Sequence, residues 1–221
     1  MIEAGYYLKI DFYLWIIVLL TNFFFMYKMI IRFKNPETEL FGKYFKGVFS
    51  FFLIHGISRI FYFVYDYFVI DQHIFYEIGV LFGILSITAF IYYIESTIFT
   101  KSKHGLFIFG VIGSIVSLSS IIFSLLGQDT VILSEYTQYF TVPILGIVIP
   151  LIYLYTAIIT TGRVRANSII IMFGIIVFIL GQMAHTPTAV QLLGDFLKIA
   201  SPVLMLVGIL IFYYGLVRGN E

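Results

Sequence analysis

The sequence predicts an all-α, polytopic membrane protein: a seven-transmembrane helix bundle with its N-terminus outside and its C-terminus inside. Three observations lead there. Hydrophobic residues make up 61% of the chain and charged ones only 11%, whereas a soluble domain carries roughly a quarter charged residues. Apolar runs recur along the whole chain, each near the ~20 residues a helix needs to cross the hydrocarbon core. Basic residues also alternate between the gaps. Ten of the 13 Lys and Arg fall in the clusters Lys28/Arg32/Lys34/Lys43/Lys46, Lys101/Lys103, Arg163/Arg165 and Arg218, at every second gap. Cationic loops are retained on the cytoplasmic side, so this alternation sets the topology.

The spans are expected at 10–32, 44–68, 76–99, 106–127, 139–161, 167–186 and 189–217. Before the first, Glu3 and Asp11 outweigh Lys9. A signal peptide would carry a basic leader and a shorter apolar run, so this segment reads as a retained helix. Asn35-Pro36 ends it, Gly127-Gln128-Asp129 ends the fourth span, and Thr160-Thr161-Gly162 ends the fifth. His185-Thr186-Pro187-Thr188 separates the last two. Glu3, Asp11, Asp66, Asp71, Glu77, Asp129, Glu135 and Asp195 fall outside or toward the outer half, against Glu37, Glu39, Glu95 and Glu221 inside or near it. Tyr6, Tyr7, Tyr13, Trp15, Tyr65, Tyr67, Tyr76, Tyr213 and Tyr214 gather near span ends, where amphipathic rings favour the headgroup level. Residues 1–221 thus read as one transmembrane domain in the cell membrane, in contact with the lipid bilayer. Its loops are too short for a soluble domain.

The second span carries the strongest constellation. His55, Arg59, Tyr62 and Asp66 are spaced four, three and four, which stacks them on one helical face. Counted from Tyr44, Arg59 lies roughly 22 Å along the axis, past the midplane but within hydrocarbon. A guanidinium there needs a partner, a cavity or a path to the headgroups. Two readings stand: Arg59 pairs with Asp66 or a neighbouring acid and fixes packing, or it serves ligand, ion or switching chemistry. Gln182 and His185 near the outer end of the sixth span, with Asp195 and Lys198 in the seventh, sit at similar depth. Together with Glu77 they are expected to converge with Arg59 and Asp66 on an outward polar pocket suited to a zwitterion, a small carboxylate or a proton relay. The alternative is that Asp195 and Glu77 simply face water.

At the inner end, Glu95 lies at the depth of Lys46, forming either a cytoplasmic latch or an ordinary interfacial bridge. Gly110, Gly113, Ser117, Ser120, Ser124 and Gly127 share one face of the fourth span. Such small faces let membrane helices approach closely, within the bundle or across a homodimer.

Several chemistries are excluded. With no cysteine, disulfides and thiolate metal sites are impossible. His55 and His185 differ in depth by ~10 Å, too far apart to clamp haem between them. A three-histidine zinc site of the ceramidase and adiponectin-receptor type lacks its ligands. No nucleophile–base pair, phosphate loop or zinc helix motif is present. No enzyme activity, metal, cofactor or nucleic-acid partner is therefore expected.

Three families bear comparison. Asp195 one turn before Lys198 in the last span resembles microbial rhodopsins, but Lys198 lies too near the outer end and Trp15 is the only tryptophan, so retinal is not expected. In length and orientation the chain resembles SWEET-type sugar transporters. Their matching half-repeat prolines are missing, since Pro143, Pro150, Pro187 and Pro202 all fall in the second half. In topology, compact loops and the final stretch Gly208 to Gly215, the whole chain resembles stand-alone seven-helix sensory modules like the membrane input region of some prokaryotic histidine kinases. That resemblance implies a receptor or sensor that binds a small polar ligand or protons and signals through a cytoplasmic partner. Small-solute or ion transport, and a structural role in a membrane complex, are the alternatives.

Overall fold

The computed structural model describes residues 4–34, 39–69, 72–128 and 130–218. Glu3, the Asn35-Pro36 boundary, Glu37, Asp71, Asp129 and Glu221 lie outside the described residues. Those described form helices α1 (Ala4–Lys34), α2 (Glu39–Tyr67), α3 (His73–Thr97), α4 (Gly105–Leu125), α5 (Val131–Ile159), α6 (Gly162–Ala184), α7 (Pro187–Leu193) and α8 (Phe196–Val217). A 3₁₀ turn, Thr100–Ser102, precedes α4. All but α7 are long and apolar enough to cross a membrane, giving seven spans.

Two boundaries depart most from expectation. Helix α5 starts at Val131, well before residue 139. Its first turns hold Ser134, Thr137, Gln138 and Thr141, polar residues that lower local hydropathy, yet all four are buried. The last span is not continuous over 189–217. Gly194 adopts φ 103° between α7 and α8, a conformation glycine enters without steric cost. Thr186 then starts α7 as a separate helix by accepting the Ala189 amide at 3.3 Å.

The chain folds as two compact units, one of residues 22–145 and the other of 1–21 with 146–221. In the first, α2 packs on α3 and α3 on α4. Gly79 makes room for the Tyr62 ring, which an added Cβ would approach to 3.1 Å. Ser58 Oγ donates to the Gly79 carbonyl at 2.7 Å. Helix α4 turns its small residues inward: Gly110 meets Thr88 and Gly113 meets Thr141, with Ser114, Ser117 and Ser120 also buried. Ile108, Ile112, Ile115, Leu118 and Ile122 face outward. Large apolar groups outside and small or hydroxylic ones inside suit a helix solvated by lipid. Of the two readings of this face, contact within the bundle accounts for Gly110, Gly113, Ser117 and Ser120, which are covered by their own chain, while Ser124 is half-buried and Gly127 exposed.

In the second unit α6 crosses α8 through glycines. A Cβ on Gly174 would strike the Phe212 backbone, and one on Gly208 the Phe178 backbone. Gly181 faces Met205 and Gly215 faces Ile171. Ser201 Oγ locks the pair by donating to the Gly181 carbonyl at 2.8 Å.

Candidate functional site

The unit of residues 22–145 buries an unusual amount of polar chemistry. From α2, Arg59 is 2% exposed, and His55, Ser58 and Tyr62 are also buried, with Asp66 half-buried. The spacing read from the sequence thus does bring these side chains along one face. The Arg59 guanidinium lies over the Tyr62 ring, 4.9 Å from its centroid. Desolvated cation–π contacts of this kind contribute about 2 kcal/mol. Tyr62 and Asp66 both interact electrostatically with the guanidinium. His55 stacks on Phe51, with centroids 5.4 Å apart and planes within 8°.

Around this column stand further buried polar residues. Tyr76 packs edge-on to Tyr62, 5.6 Å between centroids, and its hydroxyl donates to Gln138 Oε1 at 3.0 Å. Asn22, from α1, donates to the Phe52 carbonyl. Glu77 is fully buried, so it does not face water, and its Oε1 accepts from Thr130 Oγ1 at 2.7 Å. Thr130 Oγ1 also approaches the Ser120 carbonyl at 3.1 Å. The Ser120 hydroxyl lies 3.1 Å from the Thr130 carbonyl and 2.9 Å from Ser134 Oγ. The available signal was the recurrence of Thr130, Ser134, Gln138 and Thr141 at three- and four-residue spacing, which marks a helical face.

The proposed latch is corrected. Lys46 is exposed, whereas Glu95 is 1% exposed. Both Glu95 oxygens are engaged elsewhere: Oε1 accepts the Leu106 amide at 3.1 Å and Oε2 the Phe107 amide at 3.0 Å. A carboxylate satisfies the orphan amides of a helix start and meets the positive end of its dipole. His104 Nδ1 stands 4.0 Å from the same carboxylate, and its ring stacks on Tyr92 at 5.5 Å.

In the other unit, Gln182 is buried near the end of α6. His185 lies just beyond it, its ring 4.6 Å from Trp15 at 60°. Lys198 Nζ binds Asp195 Oδ1 at 2.8 Å, and the two side chains are 40% and 64% exposed. That pair is an exposed i,i+3 bridge at the start of α8. Gly162, Arg163, Ala166 and Arg218 line a cleft of about 380 Å³. Its two guanidiniums suit a phosphate at headgroup level.

In comparisons with known proteins, no family model matches the chain, and neither a curated protein nor a solved structure does.

Proposed function

We propose that the chain is a receptor- or sensor-like integral membrane protein whose responsive element is the polar column of α2. Arg59, with Tyr62, Asp66 and His55, would bind a small carboxylate or zwitterion, or exchange protons. A cytoplasmic partner would read the resulting change at the basic ends of the helices. The carrying observation is Arg59 itself, 2% exposed in a helix apolar enough to cross a membrane. Ionisable groups held at such depth are expensive and are retained where they act. A switch then requires only that the bound species favour one packing of the helices over another.

The break at Gly194 supports a second reading, transport of a small solute or ion, since discontinuous helices accompany transporter sites. Two measurements separate these readings. Acetate, succinate, glutamate and glycine, each titrated against thermal unfolding across pH 5–8, should stabilise the wild type and leave Arg59→Ala unresponsive. Uptake of the stabilising solute into proteoliposomes would favour transport. No response to any solute or to pH would sink both readings.

A further inference from the structure

Buried carboxylates need company. Glu77 is 0% exposed, and its Oε2 makes no hydrogen bond among the described residues. No basic side chain is paired with it among those residues. An ionised carboxylate left so costs several kcal/mol even after relaxation. The Arg59 guanidinium interacts with Tyr62 and Asp66.

The atoms beside Glu77 are all oxygens. Glu77 Oε1, Thr130 Oγ1, the Thr130 and Ser120 carbonyls and the Ser120 and Ser134 hydroxyls are linked at 2.7–3.1 Å. They come from α3, α4, α5 and the link between the last two, so the cage is built by tertiary packing. Ser120 sits near the C-terminal end of α4, where carbonyls and the helix dipole favour a cation. Hydroxyls and carbonyls present lone pairs once their protons rotate away. Hard oxygen donors select hard cations.

We propose that Glu77, Thr130, Ser120 and Ser134 form a binding site for one sodium ion. Charge sets the valence: Glu77 is the one carboxylate in this cluster among the described residues, and a monovalent ion neutralises it, whereas a divalent one would leave a net positive charge in an apolar core. Among the described residues no group of three or more His, Asp or Glu offers a site for a transition metal. These oxygens hydrogen-bond to one another at 2.7–3.1 Å, so an ion enters by spreading them, and sodium requires less spreading than the larger potassium ion. The site stands apart from the Arg59 reading and would serve a receptor or a transporter alike.

The test is thermal unfolding of the purified protein in NaCl, KCl or choline chloride at equal ionic strength and pH 8. Above its dissociation constant, each tenfold rise in sodium should raise Tm by about 3–5 °C, with potassium and choline inert. Glu77→Gln should abolish the sodium response. Ser134→Ala keeps the charge and should move the sodium midpoint upward tenfold or more. Arg59→Ala should leave the response intact, which keeps this outcome separate from the fate of the Arg59 reading. Equal stabilisation by all three salts, stabilisation by low pH alone, or an undiminished sodium response in Glu77→Gln would overturn the proposal. If Glu77→Gln does not fold, an unmoved midpoint in Ser134→Ala overturns it instead.

Discussion

Replacing Glu95 offers the sharpest check on how α3 and α4 are joined. Its two oxygens accept the Leu106 and Phe107 amides at 3.1 and 3.0 Å. Hydrogen bonds to a charged group contribute about 1.5–3 kcal/mol each, so two set an upper range of about 3–6 kcal/mol. Water reaching the vacated amides would bring the loss toward the ~1–2 kcal/mol scale of a helix cap. Glu95→Ala should therefore cost about 2–4 kcal/mol, and Glu95→Gln, which keeps one acceptor, about 1–2 kcal/mol. For a chain of 221 residues this means a Tm lower by about 4–16 °C for alanine and about 2–8 °C for glutamine. The assay is thermal unfolding in a fixed detergent, with hydrogen exchange read at the two amides, which should lose protection. A Tm within a degree of wild type for Glu95→Ala would refute the capping argument. A double-mutant cycle with Lys46→Ala should show no coupling, and strong coupling would restore the latch.

Other consequences are as direct. Gly208→Val should lower Tm by about 2–12 °C or more, because its Cβ meets the Phe178 backbone and overpacking costs about 1–3 kcal/mol, more where the backbone cannot relax. Gly105→Ala, with nothing within 4 Å of the added carbon, should leave Tm unchanged or raised. Tyr76→Phe should destabilise by about 1–3 kcal/mol by removing the donor to buried Gln138, and Gln138→Leu in that background should recover part of it. Glu39 lies outside the spans, where Lys43, through its hydrogen bond and then its charge, holds the carboxyl below its usual value. Its contribution is thus present above the ordinary carboxylate range and lost as pH falls through the lowered value. Carbon-detected NMR titration of Glu39 should show the depression, and Lys43→Met should erase it.

Much of this architecture was legible before any coordinates. Seven spans follow from run length and composition, and the helical spacing of His55, Arg59, Tyr62 and Asp66 put them on one face. Glu77 was legible only as one of two readings, since an acid at the start of a span can face water or a polar interior until Thr130 and Ser120 are folded over it. The polar face of α5 was hidden for a related reason. A hydropathy window averages around the helix and so mistakes Ser134, Thr137 and Gln138 for a loop. Small residues in α4 announced a close contact but not its partner, because Gly110 and Gly113 suit another copy as well as Thr88 and Thr141. The Glu95 cap depends on where α4 begins, and nothing local to Glu95 encodes that. Gly194 left too faint a mark in an apolar run to reveal that the chain breaks there.

The contact between Trp15 and His185 has a practical corollary. With one indole in the whole chain set 4.6 Å from an imidazole, ultraviolet emission reports a single location. Any motion that parts the two rings changes the surroundings of that indole, so its brightness tracks whether the contact is closed. The molecule brings its own optical gauge, with no dye or engineered label.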